Sequence, residues 1–205
     1  MPTAFRHLLP LNQEVREGSM RFMFDDRKAA QAAAHLVRLS GGRLNYMVLI
    51  KLLYLSDRRS LLETGAPITG DRMVAMPHGP VLSRIYDLIN MGCPERASSS
   101  PWYEHLTEPS GYDIQTTAVS ATEELSAYEL AVLAEVHAKF GGLNKWALRD
   151  YTHTLPEWSD PEGSTYPIDP VGILRSAGRP ESEIESLVAD AEEIWFMRSL
   201  EKARV

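Results

Sequence analysis

One segment of this sequence limits the fold more than any other, because its apolar side chains point in nearly every direction around a helix. Asn45 is a typical N-cap residue, the helical pattern runs to about Thr64, and Gly65 follows as a typical helix stop. The apolar positions of its first half are Met47, Val48, Leu49, Ile50, Leu52, Leu53 and Leu55. A helix that is apolar on all faces must be covered by neighbours on all sides. We therefore predict a central buried helix within a mainly α-helical domain.

Capping residues and apolar periodicity predict six further helices around the central one. They cover about residues 26–40, 81–90, 126–140 and 144–153, a short stretch from Asp169, and 180–203. The apolar stripe of the last helix consists of Ile184, Leu187, Val188, Ala191, Ile194 and Leu200. Between the helices, residues 102–106 and 112–117 flank the turn-forming sequence 108–111 and predict a small β-hairpin.

Regular patterning begins only at Met20, which divides the chain into an extension and one domain. Residues 1–19 alternate charges with scattered leucines and follow no helical or strand period. The chain has 205 residues, of which 44% are hydrophobic and 24% are charged, and this composition suits one core of ordinary size. We expect residues 1–19 to be an N-terminal extension that contributes little to the core, and residues 20–205 to form a single domain.

Composition and charge argue against several classes of protein. The longest apolar stretch, residues 46–55, is interrupted by Lys51 and is too short to cross a bilayer, and no secretory signal is present, so we expect a cytoplasmic protein without a membrane partner. A net charge of −7 argues against a direct nucleic-acid partner. The one cysteine, Cys93, cannot form an intrachain disulfide, and we expect it to be a packed loop thiol.

The sequence lacks the usual patterns of a catalytic or cofactor-binding site. It contains no phosphate-binding loop, no dinucleotide-binding glycine pattern and no nucleophile elbow, so we expect neither a cofactor nor an enzyme. The six histidines, at positions 7, 35, 78, 105, 137 and 153, include no close pair with metal-ligand spacing. Folding could bring His78 and His153 together, but a histidine near a helix end more often bonds the backbone, and we expect no metal.

Two features of the sequence allow either a structural or a partner-binding role. Lys51, Tyr54 and Arg58 share one face of the central helix and could present cations to a partner. We favour the alternative, in which their long stems cover apolar neighbours while their heads reach solvent. Trp158 could anchor a partner, but we favour a packing role beneath the predicted helix at 144–153.

Several motifs, in order and at consistent spacing, resemble a known family. The first block is Lys51-Leu-Leu-Tyr-Leu-Ser-Asp-Arg58, then Gly65-Ala-Pro-Ile-Thr-Gly-Asp71, Ala75-Met-Pro-His-Gly-Pro-Val81 and Ile85-Tyr-Asp87. The second block is Leu125-Ser126, Trp146-Ala-Leu148, Thr152-His153 and Pro156-Glu-Trp158. Together they cover about residues 22–160 and resemble the Panacea domain, the SocA-like antitoxin family of bacteria and their phages.

This resemblance implies a mostly helical domain with a small β-hairpin that acts as an antitoxin, so its partner is expected to be a cognate toxin. One member of the family is thought to act as an adaptor that hands its toxin to a Clp-type protease. Binding, not catalysis, is therefore the expected function. The candidate partner-binding or signature residues are Lys51, Tyr54, Asp57, Arg58, His78, Gly79, Pro80, His153 and Trp158.

Three functional hypotheses remain open at the level of sequence. The first is neutralisation of a co-encoded toxin by direct binding, and the second is a proteolytic adaptor. The third and weakest is a small hydrolase that uses Asp57, His78 and His153, because no nucleophile motif accompanies these residues. The turn at residues 78–80 could equally be a structural strand-to-helix turn or a partner contact; the residue before Gly79 varies in the family and is histidine here.

Overall fold

The segment that is apolar on all sides forms the long helix α2, Tyr46–Thr64. The computed structural model describes residues 19–90, 100–119 and 121–203. In these ranges the other helices are α1 Asp26–Leu39, α3 Ser83–Asn90, α4 Pro101–His105, α5 Ala127–Phe140, α6 Lys145–His153, α7 Pro170–Ser176 and α8 Glu181–Lys202. The strands are short: β1 Arg43–Asn45, β2 Met73–Ala75, β3 Val81–Leu82, β4 Asp113–Gln115 and β5 Tyr166–Pro167. The predicted mainly α class is confirmed.

The helix ends follow the local chemistry of the sequence. Asn45 accepts a hydrogen bond from the Met47 N–H at the start of α2, and Gly65 ends the helix in the left-handed conformation with φ 81°. Ser126 and Glu129 form the predicted capping box of α5. Asp25, Asn144 and Asp169 cap α1, α6 and α7 in the same way, each through a side-chain oxygen that accepts a backbone N–H.

Helix α2 is the centre of the molecule, as predicted. Helices α1, α5, α6 and α7 and strand β3 all pack against it. Leu49, Leu52 and Leu61 have no exposed surface and Leu53 is 1% exposed, so α2 buries its apolar residues on several sides at once. Further core residues come from the alanine-rich helix α1, from the inner faces of α5, α6 and α7, and from the short helices and strands around them.

The small β-hairpin exists, but it lies elsewhere in the chain than predicted. Strands β2 and β3 form an antiparallel hairpin around the turn at residues 76–80, and β5 adds a third strand on the other edge of β2. The predicted hairpin of residues 102–106 with 112–117 is wrong in its first strand, which is helical. Ser100 caps a short helix there, with Pro101 at its first turn, and this helix buries Trp102 and His105 on one side.

Strand β4, the second half of the predicted hairpin, pairs with β1 instead, so that Leu44 lies opposite Ile114. Part of the predicted pairing is retained on the other edge of β4: Leu106 forms an isolated bridge with Thr116, and Ser110 forms one with Asp113 at the turn. Ile114 has no exposed surface and is part of the core, so β4 is held by packing as well as by its backbone hydrogen bonds.

Two other helices also differ from the prediction. Helix α3 begins at Ser83 rather than at Val81, because Asp71 accepts hydrogen bonds from the backbone N–H groups of Arg84 and Ile85 and so fixes its start. The apolar stripe of α8 is only half covered: Ile184 and Ala191 are buried, whereas Ile194 and Leu200 are exposed.

Two sequence predictions lie partly or wholly outside the described residues. One is the N-terminal extension, of which residues 1–18 lie outside, and the other is the packed loop thiol Cys93. The described part of the chain begins next to the core, since Met20 is 6% exposed. The Asp25 N–H donates to the Thr69 carbonyl and so connects the start of α1 to the loop after α2. No helix in the described ranges is both long enough and apolar enough to span a membrane.

Replacing Leu53 with aspartate should abolish folding. The change removes a leucine that is 1% exposed, whose loss costs about 2–5 kcal/mol, and buries a carboxylate without a partner. Because a domain is stable by only about 5–15 kcal/mol, circular dichroism and chemical denaturation should show an unfolded or aggregated protein. Val119→Asp is the control, since Val119 is 46% exposed and its variant should keep the native melting temperature. A folded Leu53→Asp protein would contradict the central position of α2.

Candidate functional site

The polar side chains of α2 that the sequence singles out have their charged or hydroxyl ends inside the protein. Lys51 is only 4% exposed, and its Nζ donates to the Pro80 carbonyl oxygen at 2.7 Å. Burial lowers the pKa of Lys51 to about 7, because the charged ammonium loses its hydration. The prediction that the head of this side chain reaches solvent is wrong.

Tyr54 and Arg58 share one partner, Glu157, in the loop after α6. The Tyr54 hydroxyl donates to Oε1 of Glu157 at 2.8 Å. The Arg58 guanidinium donates from Nε to the same oxygen at 2.6 Å and from a terminal nitrogen to Oε2 at 3.2 Å. Burial raises the pKa of Tyr54 well above its usual value, and the adjacent Glu157 carboxylate raises it further. A two-point arginine–carboxylate pair of this kind holds the loop against α2.

Asp57 has a separate partner in the loop that follows α2. Its two carboxylate oxygens accept hydrogen bonds from the Thr69 N–H at 3.1 Å and from the Thr69 hydroxyl at 2.5 Å. Burial raises the pKa of Asp57 to about 7, although the bonds from Thr69 oppose that shift. Neither His78 nor His153 bonds to Asp57 within the described ranges, so the structure does not assemble the three residues of the hydrolase hypothesis.

The turn at residues 76–80 fits closely over Lys51 and α6. Gly79 has φ 90°, and its N–H donates to the Met76 carbonyl at 2.9 Å. A Cβ atom at Gly79 would lie 2.6 Å from the Thr152 hydroxyl and 2.9 Å from the Lys51 Nζ. Both the backbone conformation and the space therefore require glycine at this position.

His153 and Trp158 close the other side of this turn. Their rings stack with centroids 3.7 Å apart and planes 5° apart, and the Trp158 indole N–H donates to the Met76 carbonyl at 3.1 Å. Trp158 also packs against the core, in agreement with its predicted packing role. Burial lowers the pKa of His153, and the charges of Arg149 and Lys51 lower it further. Its surroundings therefore disfavour the protonated imidazole.

His78 is the one candidate residue that is mainly exposed, and it belongs to a group of exposed and half-buried residues. Its ring meets the edge of the Trp146 ring, with centroids 6.5 Å apart. Lys145 Nζ lies 5.0 Å from the Trp146 ring and 4.6 Å from the Tyr112 ring, and the Arg149 guanidinium lies 5.0 Å from the Trp146 ring. We call this group the aromatic–cation surface: His78, Tyr112, Lys145, Trp146 and Arg149.

The exposure of this surface is unusual for its residue types. Trp146 is 48% exposed and Tyr112 is 61% exposed, although side chains of this size are mostly covered in folded proteins. Cations placed over the rings hold them in a defined orientation. In the described residues, no three His, Cys, Asp or Glu side chains lie close enough to hold a metal ion.

Sequence reasoning missed several of these residues. Glu157, Thr69 and Thr152 lie in the family motifs, but no structural role was predicted for them, because only the fold shows which groups they face. The aromatic–cation surface left a weak signal: Lys145, Trp146 and Arg149 follow one another at helical spacing directly after the Asn144 cap. The approach of Tyr112 depends on the pairing of β4 with β1, which the sequence did not predict.

These residues lie in a segment that matches a known family. The family model described as antitoxin SocA-like, Panacea domain, matches residues 49–159. The chain belongs to this family. No curated protein and no solved structure matches the chain.

The part that matches the Panacea-domain model contains all nine candidate residues and the residues that contact them in the paragraphs above. Within this part, eight of the nine candidates are buried or half-buried, and His78 alone is mainly exposed. Most of the motif residues therefore contact other parts of the same domain, and a role for them in partner contact stays a prediction.

Gly79 and His78 should respond differently to substitution by alanine. Gly79→Ala places a side chain in a left-handed backbone and against Thr152 and Lys51, so it should destabilise the protein by about 1–3 kcal/mol. His78→Ala removes an exposed ring and should leave the melting temperature nearly unchanged. Thermal denaturation of both variants is the test, and equal stability of the two would contradict the structural role of Gly79.

Removing Glu157 should destabilise the protein far more than removing a surface glutamate. Glu157→Ala leaves the Arg58 guanidinium and the Tyr54 hydroxyl without their shared acceptor, at a cost of about 3 kcal/mol. The matched control is Glu135→Ala, because Glu135 also pairs with an arginine but is 61% exposed. Its loss should cost less than about 1 kcal/mol. Similar urea midpoints for the two variants would contradict the assigned role of Glu157.

Proposed function

We propose that this protein is an antitoxin that neutralises a co-encoded toxin by binding it directly in the cytoplasm. The observation that carries the proposal is its membership of the SocA-like antitoxin family, through a match that spans residues 49–159. The toxin itself is identified by chemistry and not by name: it is a protein that buries exposed aromatic side chains of this domain.

The aromatic–cation surface is the contact that we propose within the matched segment. Tryptophan, tyrosine and arginine are the residue types that most often dominate the binding energy of protein interfaces. Here Trp146 is presented by α6, Tyr112 by the loop before β4, and His78 by the turn between β2 and β3. Because three separate parts of the fold meet there, the folded domain presents these side chains in a fixed arrangement, which lowers the entropic cost of binding.

Neutralisation requires a low dissociation constant, and an aromatic surface of this kind can provide it. A toxin present at about micromolar concentration is almost fully bound only if the dissociation constant is in the nanomolar range, which corresponds to about −12 kcal/mol. A few buried anchors commonly supply most of such a binding energy. Trp146 is the central anchor in our proposal, because His78, Lys145 and Arg149 all contact its ring.

Expression together with the product of the adjacent reading frame tests the proposal. The unmodified chain should restore growth and co-purify with that product as a stable complex. Trp146→Ala should keep the melting temperature, because the ring is 48% exposed, and should weaken binding at least tenfold. Trp146→Phe should retain part of the affinity, and Val119→Ala, at another exposed apolar position, should retain all of it.

Two results would contradict this proposal in different ways. If the unmodified chain neither restores growth nor binds the adjacent product, the antitoxin function is wrong. If growth is restored only in a host that has its Clp-type protease, the chain acts as a proteolytic adaptor instead of a direct inhibitor. If Trp146→Ala binds as tightly as the unmodified chain, the aromatic–cation surface is not the contact.

A further inference from the structure

The C-terminal half of helix α8, residues 192–202, carries an apolar face that nothing in the described structure covers. Four large apolar side chains lie there at helical spacing, and between 43% and 57% of each is exposed: Ile194, Phe196, Met197 and Leu200. Residues three and four positions apart lie on one side of a helix, so Met197 and Phe196 are both neighbours of Leu200. These side chains therefore form one continuous face and not scattered exposed residues.

This face points away from the side by which α8 attaches to the domain. The attached side carries Ile184 and Ala191, which are buried, and Trp195, whose ring lies 5.3 Å from the Arg21 guanidinium. At about 100° per residue, Met197 and Leu200 lie roughly 160° and 140° around the helix from Trp195. The contact that fixes Trp195 therefore turns the apolar face outward.

The charge of α8 is concentrated and almost entirely negative. The helix contains seven acidic and two basic side chains, so it carries −5 of the chain's net charge of −7. In its first turn Glu181 pairs with Arg175, and Glu183 pairs with Arg179. Around the apolar face, by contrast, Glu192 and Glu193 have no cation within ion-pair distance among the described residues.

The combination of an apolar face and unpaired negative charge decides what kind of partner fits. A second copy of this chain would bring together two helices of charge −5, and an anionic membrane or a nucleic acid would also repel it. A protein groove with an apolar floor and a rim of lysine and arginine satisfies both features. An amphipathic helix that lies in such a groove is a common mode of recognition, with anchors at positions three and four apart.

We propose that the C-terminal half of α8 docks into an apolar groove, rimmed by basic residues, on the toxin. The inference rests on the proposed antitoxin function and names a second contact for the same partner. Helix α8 begins at residue 181, whereas the family match ends at residue 159, so this contact lies outside the matched segment. It therefore adds partner recognition to the shared domain and is separate from the aromatic–cation surface.

The test measures the affinity of purified full-length chain for the purified product of the adjacent reading frame. The double variant Phe196→Gln/Leu200→Gln removes two anchors and keeps good helix formers, and it should weaken binding at least tenfold with an unchanged melting temperature. Leu39→Gln is the matched control, because Leu39 is 41% exposed and Leu200 is 43% exposed. The control should bind like the unmodified chain.

A charge reversal tests the rim of the proposed groove. Glu192→Lys/Glu193→Lys should lower the association rate several-fold at low salt, and the difference should shrink at high salt, because the steering is electrostatic. Glu185→Lys, on the same helix but two turns away from Glu192, is the control and should have a smaller effect. An association rate that is independent of these charges would contradict the basic rim.

The remaining outcomes separate this inference from the proposed function. If the unmodified chain binds and restores growth but Phe196→Gln/Leu200→Gln binds equally well, the α8 contact is wrong and the antitoxin function stands. If the unmodified chain does not bind at all, the antitoxin function fails and the inference fails with it. If the double variant lowers the melting temperature of the free protein, or abolishes a dimer seen by sedimentation, this chain itself covers the face and the inference is overturned.

Discussion

The structure depends on the burial of α2 on every side, because that burial carries four polar side chains into the interior. An unpaired charge inside a protein is costly, so each of these groups needs a partner from another part of the chain. Lys51 donates to the Pro80 carbonyl, Tyr54 and Arg58 share Glu157, and Asp57 accepts from Thr69. Three separate loops are thereby held against one helix.

These contacts give the motifs of the matched segment a physical meaning. Each of three segments supplies a hydrogen-bond partner for polar side chains of α2. The loop after α2 supplies Thr69, the turn between β2 and β3 supplies the Pro80 carbonyl, and the loop after α6 supplies Glu157. Gly79 is needed because a side chain there would collide with Thr152 and Lys51. Most motif residues therefore hold the domain together, whereas His78 and Trp146, which also belong to the motifs, and the apolar face of α8 are exposed.

Local chemistry alone predicted much of the fold. The side chains of Asp25, Asn45 and Ser126 accept hydrogen bonds from backbone N–H groups two or three residues later. Neighbouring residues in the sequence therefore suffice to predict these caps. The failed hairpin at residues 102–117 shows the limit of this reasoning. Its strands were locally plausible, but Ser100 and Pro101 start a helix in place of the first strand, and β4 pairs with the distant strand β1.

The sequence by itself determined that α2 is central, since a helix with apolar residues on all sides has no other stable place in water. It also determined the family, because the order and spacing of the motifs can be recognised in the sequence alone. Only the tertiary structure decided that the heads of Lys51 and Tyr54 lie inside, that His78 meets Trp146, and that half of the α8 stripe is left exposed. These outcomes depend on which distant segments come to lie next to one another, and residue periodicity within one helix carries no information about that.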